Sequence, residues 1–139
     1  MLDAEQKHRL RKTFATVERQ SQVAALVFYQ RLFDLNPMLR PLFKTDIELQ
    51  AAKLMDMLST ALSLLEKPEE LTETLEELGV RHVTYGVRTE HYDTVGAALL
   101  AMLSTVLGKD FTPDTRKAWT ELYQFIAATM LRGAARVTR

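Results

Sequence analysis

The sequence of 139 residues contains no cysteine, and this absence removes several kinds of chemistry. Disulfide bonds, thiolate metal centres, cysteine nucleophiles and covalent cofactor attachment through a thioether all require that residue. Any cofactor of this chain must therefore be held without a covalent bond to cysteine.

Net charge and long apolar runs are also absent. The 18 basic and 18 acidic residues cancel, so the chain has no long-range field to attract nucleic acid or an anionic membrane. No run of 18 apolar residues occurs, and the first dozen residues are rich in charge rather than forming an apolar signal segment. We expect a cytoplasmic protein without nucleic-acid or membrane partners.

Glycine and proline are scarce, with five and four residues, and no Ser/Gly linker divides the chain. Apolar residues recur with a helical period, and no sustained alternation typical of strands competes with it. The chain length is close to the commonest size of one domain. We predict an all-α fold of a single domain, residues 1–139, with about six longer helices and a short corner segment.

Helix boundaries in the first half follow from capping residues and prolines. Asp3 with Gln6 three positions later forms a capping-box pattern that predicts the start of the first helix. Ser21 is predicted to cap the second helix, which Pro37 ends. Because residues 36–43 contain two prolines, we predict a 3₁₀-like corner there.

Prolines and glycines also predict the helix boundaries in the second half of the chain. A long helix is predicted from about Ile47 to Leu65, and the next begins at Pro68. Gly108 should end the fifth helix, Thr112-Pro113 should begin the last, and Gly133 should end it, so that the remaining residues fray.

Two helices each direct one nitrogen-bearing side chain toward the interior. His82 continues an apolar stripe formed by Leu71, Leu75 and Leu78, and Gln50 leads a second stripe formed by Leu54, Leu58, Ala61 and Leu65. A buried polar group without a partner costs about 1–3 kcal/mol, so the pair predicts a bound group between the helices. A haem would satisfy both side chains. The alternative is a cofactor-free bundle in which His82 belongs to an internal polar network.

Ordered motifs along nearly the whole chain resemble the globin family. They are Phe28-Tyr29, Leu32-Phe33, Pro37, Leu42-Phe43, Gln50 with Leu54, Leu78-Gly79, His82, Gly86-Val87, the run from His91 to Gly96, Trp119 and Tyr123. Within the family the chain is most similar to bacterial single-domain globins related to flavohaemoglobin head domains. The resemblance implies a globin fold that encloses a non-covalent haem b.

The resemblance also implies a role for each residue of the haem pocket. His82 would bind the iron, while Tyr29, Gln50 and Leu54 would line the distal side. Both Tyr29 and Gln50 can donate a hydrogen bond that slows the release of dioxygen. The Tyr29 hydroxyl could instead reach a backbone carbonyl, and Gln50 could turn to solvent.

Further residues are implied to contact the haem itself. Phe43 would stack on the porphyrin, although an ordinary core aromatic is the alternative. Apolar or aromatic contacts would come from Phe28, Leu54, Leu78, Val87, Tyr92 and Val95. Cations for the propionates would come from Lys53, Arg81 and Arg88, each of which could equally be a solvated surface charge.

The two other histidines are not expected to bind iron. His8 lies off the apolar stripe of the first helix and should be exposed. His91 stands at a helix start, where a structural role or a place near the haem edge is expected.

The chain departs from the flavohaemoglobin pattern at one position. In those heads a glutamate on the last helix joins the tyrosine at Tyr92 and makes the proximal histidine electron-rich, whereas here that position is Ala134. Strong electron donation to the iron, which favours peroxidase-like or dioxygenase turnover, is therefore not implied.

The resemblance implies reversible, high-affinity binding of dioxygen and of nitric oxide and carbon monoxide, for oxygen transport or gas detoxification. The alternative is a nitric oxide dioxygenase that takes electrons from an external reductase, since the sequence has no Gly-x-Gly-x-x-Gly nucleotide motif. A third hypothesis, a gas sensor, would need an output module, and we expect none here.

Overall fold

The structure is a computed structural model that describes residues 2–43 and 46–138. Its elements are α1 (Ala4–Arg19), α2 (Ser21–Leu35), a 3₁₀ helix (Pro37–Leu42), α3 (Ile47–Ser63), α4 (Pro68–Thr84), α5 (Thr89–Leu107), a short 3₁₀ helix (Gly108–Asp110) and α6 (Pro113–Ala135). The described residues form no strand, and none of their helices is long and apolar enough to cross a membrane. The all-α class, the six longer helices and the corner are confirmed.

Most helix starts use the predicted capping chemistry. Asp3 accepts a hydrogen bond from the Gln6 backbone N–H at 2.8 Å, and the Gln6 side chain accepts one from the Asp3 N–H at 3.0 Å. Thr112 accepts from the backbone N–H of Thr115 at 3.2 Å and so caps α6. These contacts satisfy N–H groups that the first helical turn leaves unpaired.

The prediction that Ser21 caps α2 was wrong. Ser21 is the first helical residue, and the cap position belongs to Gln20, whose side chain makes no cap hydrogen bond. A single residue separates α1 from α2, and the Gln20 carbonyl already accepts the N–H of Ala24 at 2.9 Å. The N-cap of the second helix therefore lies at Gln20, one residue before the serine that the sequence favours as the cap.

The prediction that Gly133 ends the last helix was also wrong, because α6 continues to Ala135. A Cβ atom added to Gly133 would overlap the backbone carbonyl of Glu76 on α4, and one added to Gly79 would overlap the carbonyl of Met130 on α6. Both glycines therefore allow two helix backbones to approach closely. Arg136 also donates to Glu76 at 2.9 Å, which fastens the segment that was expected to fray.

Helices α3 and α4 pack against different neighbouring helices. Trp119 is fully buried and donates to the Thr13 hydroxyl at 2.9 Å, which joins α6 to α1. Helix α3 packs on α2 and α1, while α4 packs on α6. Four residues of these two helices that the sequence predicts to line a common site are half-buried: Gln50, Leu54, Leu78 and His82.

We predict that Gly133→Ala lowers the free energy of unfolding by about 3 kcal/mol, the cost of forcing a methyl group into a packed interface. Alanine in place of an exposed helical glycine normally stabilises by about 1 kcal/mol, so the sign itself is diagnostic. Urea denaturation measures the difference, with Ala128→Gly on the exposed face of α6 as the control that should cost about 1 kcal/mol. A more stable Gly133→Ala protein would show that the helices do not touch there.

Candidate functional site

His82 lies in the last turn of α4, half-buried, with one ring nitrogen fixed by the backbone. Its Nδ1 atom is 2.8 Å from the carbonyl oxygen of Leu78. A carbonyl oxygen only accepts hydrogen bonds, so Nδ1 carries the proton and Nε2 carries a lone pair. Within the described part of the chain, Nε2 has no hydrogen-bond partner. Nε2 is therefore the ring nitrogen that is available to a ligand.

The charge state of His82 suits the same role. Burial lowers the pKa of His82, the hydrogen bond to Leu78 opposes this shift, and the nearby Arg81 guanidinium lowers the pKa further. The net effect keeps the ring neutral at neutral pH, which is the form that coordinates a metal.

Tyr29 occupies an aromatic cluster on α2. Its ring lies 5.0 Å from the ring of Phe28, 6.0 Å from Phe33 and 5.4 Å from Phe43. Burial raises the pKa of Tyr29 well above its usual range, so the phenol keeps its proton. No hydrogen bond from its hydroxyl to a backbone carbonyl, the alternative raised by the sequence, exists among residues 2–43 and 46–138.

Phe43 follows the 3₁₀ corner and is half-buried at the edge of that cluster. Its ring meets Phe33 at 5.5 Å, and the Arg40 guanidinium both covers the Phe33 ring at 5.4 Å and donates to the Phe43 carbonyl at 3.4 Å. The corner thus places an aromatic face beside Tyr29. Gln50 and Leu54 are half-buried one turn apart near the start of α3, where Asp46 caps the helix.

The remaining residues that were predicted to line the pocket fall into three groups, which are half-buried, buried and exposed. Three apolar residues on α4, α5 and the corner between them are half-buried, as a surface that faces a ligand would be: Leu78, Val87 and Val95. Phe28 and Tyr92 are buried. The three cations proposed for the propionates are exposed and form no ion pair with another described residue: Lys53, Arg81 and Arg88.

The predicted exposure of His8 and the structural role predicted for His91 are confirmed. His8 is exposed. His91 Nδ1 accepts the backbone N–H of Arg88 at 2.9 Å, which gives this histidine a structural role at the start of α5. In the described ranges no three His, Asp or Glu residues cluster as a metal site. An iron that porphyrin nitrogens already hold needs a single protein ligand, and one imidazole nitrogen is suited to that role.

Sequence reasoning missed a contact beside this site. The Tyr123 hydroxyl donates to the backbone carbonyl of Tyr92. The Tyr123 ring packs against Gly96, where an added Cβ atom would lie 2.7 Å from Tyr123 Cε2, too close for a side chain. The sequence does contain the two residues of this contact, Gly96 on α5 and Tyr123 on α6. Neither residue by itself indicates which residue it packs against, so the contact could not be predicted.

The chain belongs to the globin family, whose sequence profile matches residues 26–130. Neuroglobin-1 of Oncorhynchus mykiss is 28% identical, and the match covers 97% of this chain and 94% of that protein. The resemblance inferred from the ordered motifs is thus confirmed for the family, and its sequence relatives include vertebrate neuroglobins.

Solved structures with the same fold include bacterial globins. An engineered carbene transferase made from a candidate nitric oxide dioxygenase of Rhodothermus marinus has a TM-score of 0.86 and 26% identity over 99% of this chain and 96% of that one. A bacterial globin from Campylobacter jejuni has a TM-score of 0.84 at 24% identity, covering 97% and 98% of the two chains, and this likeness shows the fold. The chain is a haem-binding globin.

Proposed function

We propose that this globin holds haem b without a covalent bond, through His82, and binds dioxygen reversibly and with high affinity. Carbon monoxide and nitric oxide would be its other ligands. The observation that carries the proposal is the His82 ring, whose Nδ1 is fixed on the Leu78 carbonyl at 2.8 Å while Nε2 remains available.

Ferrous haem supplies the reversible coordination of a diatomic gas. The hydrogen bond from Nδ1 to Leu78 restrains rotation of the imidazole and so orients Nε2. Because the acceptor is a neutral carbonyl, His82 stays a neutral ligand. This arrangement favours stable binding of dioxygen over strong electron donation.

Tyr29 would serve as the main distal donor. Its phenol is neutral, buried among aromatic rings and without a hydrogen-bond partner in the described structure. A donor in such a low-polarity setting interacts strongly with a ligand that carries partial negative charge. We assign Gln50 as a second donor and Leu54 as the apolar wall that limits water.

The haem edge and faces would be held by the other predicted residues. We assign Phe43 to porphyrin stacking, on the basis of its half-buried ring beside Tyr29. The apolar contacts would be Phe28, Leu78, Val87, Tyr92 and Val95, and the exposed cations Lys53, Arg81 and Arg88 are the candidates for the propionates.

A nitric oxide dioxygenase that depends on an external reductase is the second candidate function. The likeness to the Rhodothermus marinus protein, at 26% identity, favours it. Repeated consumption of nitric oxide in the presence of dioxygen and an added reductase would support turnover. Consumption limited to one equivalent per protein under the same conditions would support the binding function alone.

We predict that His82→Ala abolishes tight retention of haem, because it removes the imidazole nitrogen that we propose as the iron ligand. Soret absorbance per protein measures haem content. His8→Ala, a change at an exposed histidine, is the matched control and should retain full haem. Equal haem in both variants would remove His82 as the ligand.

We predict a five-coordinate iron in the ferrous protein without gas. Gln50 rather than a histidine stands on the distal helix, and a neutral carboxamide is a poor iron ligand. Visible absorption of the reduced protein distinguishes the states. A low-spin spectrum with two histidine ligands would contradict this assignment.

We predict that Tyr29→Phe speeds dioxygen dissociation about tenfold, and by more than Gln50→Leu does. A hydrogen bond in a pocket is worth about 1–1.5 kcal/mol, and a phenol held by a packed helix is the stronger donor. Stopped-flow dissociation rates measure both variants, with carbon monoxide, a less polar ligand, as the internal control that should change little. An unchanged dioxygen rate in Tyr29→Phe would show that its hydroxyl faces elsewhere.

A further inference from the structure

Tyr85 stands at the C-cap of α4, about one helical turn after His82, and is 53% exposed. The centroids of the two rings lie 5.4 Å apart, and the ring planes are inclined by 60°. This separation falls within the range of about 4.5–7 Å over which tilted and edge-to-face aromatic rings attract each other. An aromatic side chain at the surface thus packs on the imidazole that we propose as the iron ligand.

The backbone fixes Tyr85 in this place. Its N–H group donates to the carbonyl oxygen of His82 at 3.1 Å, and the Val87 N–H group donates to the same oxygen at 3.1 Å. Between them Gly86 has a φ of 88°, in the left-handed region that suits glycine at the end of a helix. The chain therefore turns away immediately after Tyr85 and leaves its side chain beside the imidazole.

The hydrogen bond to Leu78 fixes one atom of the imidazole and not its plane. Nδ1 lies 2.8 Å from the Leu78 carbonyl oxygen, but the ring can still rock about this contact and move Nε2. A single hydrogen bond favours the bonded orientation only about fivefold. A second contact is needed to hold the ring plane, and among residues 2–43 and 46–138 Tyr85 is the aromatic residue that supplies it.

The contact between Tyr85 and His82 is made by the ring of the tyrosine. The Tyr85 hydroxyl forms no hydrogen bond with another residue in the described part of the chain. Phenylalanine has the same ring without the hydroxyl, so it should preserve the contact, whereas alanine should remove it. This difference separates an effect of the ring from an effect of the phenol.

We propose that Tyr85 is a positioning residue of the haem site. Its ring packs on His82 and holds the plane of the imidazole, while the Leu78 carbonyl holds Nδ1, so that Nε2 keeps one orientation toward the haem. The same ring limits the access of water to the imidazole. This inference rests on the proposed role of His82 as the iron ligand.

Resonance Raman spectra of the ferrous haem-loaded variants test the orientation of the imidazole. We expect Tyr85→Ala to broaden the iron–histidine band, because the ring then samples several orientations. Tyr85→Phe should restore the narrow band of the wild-type protein. Thr84→Ala, at the exposed neighbouring residue of α4, is the matched control and should leave the band unchanged.

Transfer of haem from the same variants to excess apomyoglobin measures how firmly the ligand is held. Tyr85→Ala should release haem about fivefold faster, the usual effect of one lost aromatic contact. Tyr85→Phe and Thr84→Ala should release it at the wild-type rate. Tyr85→Gln also lacks the aromatic ring and suits an exposed helix end, so it should match Tyr85→Ala and serves as the second variant if that protein fails to fold.

The outcomes distinguish this inference from the proposed function. A wild-type protein without an iron–histidine band would overturn the role of His82 and the inference together. A wild-type band that stays equally narrow in Tyr85→Ala and Tyr85→Gln would overturn the positioning role alone, even if haem were lost faster. Tyr85→Phe with a band as broad as that of Tyr85→Ala would also overturn it, because the hydroxyl and not the ring would then be responsible.

Discussion

The close approach of α4 to α6 is the constraint on which the candidate site depends. Gly79 and Gly133 leave no side chain between the two backbones, and the Glu76 carboxylate receives Arg132 and Arg136 from α6 at the same crossing. Because α4 rests on α6 and not on α3, the face that carries Leu78 and His82 stays half-buried and available. The packing of α4 on α6 thus leaves the opposite face of α4 available for the candidate site.

The Leu78 carbonyl then determines the chemistry of His82. A hydrogen bond to this carbonyl fixes the tautomer and the ring orientation, and burial keeps the ring neutral. A carboxylate acceptor would instead place negative charge on the imidazole and raise electron density at a bound iron. Ala134 supplies no such carboxylate, and together with Tyr92 it lines a cavity between the end of α4, the start of α5 and the end of α6.

Local sequence signals predicted the parts of the fold that depend on local physics. Capping residues and prolines determine the conformation of their own backbone or of the adjacent helical turn. The structure shows the expected helix caps and corner at three such places: Asp3 with Gln6, Pro37, and Thr112-Pro113. Gly133 was misread because a glycine near a helix end suits both a terminus and a tight crossing, and only the position of Glu76 distinguishes them.

The site was predictable to a similar degree. The polar interruption at His82 is visible in the helical period, but the hydrogen bond between Nδ1 and Leu78 requires the folded helix. Tyr29 was identified only through the resemblance to globins, since an aromatic residue on an apolar face is ordinary core. The cavity beside Tyr92 was not predictable, because its walls come from segments about fifty residues apart that only tertiary packing brings together.

Resonance Raman spectroscopy of the ferrous haem-loaded protein tests the central claim most directly, because the iron–histidine stretching vibration reports both ligation and the charge of the imidazole. We predict a stretch typical of a neutral histidine whose N–H donates to a carbonyl. A stretch typical of an imidazolate, or the absence of any iron–histidine vibration, would contradict it.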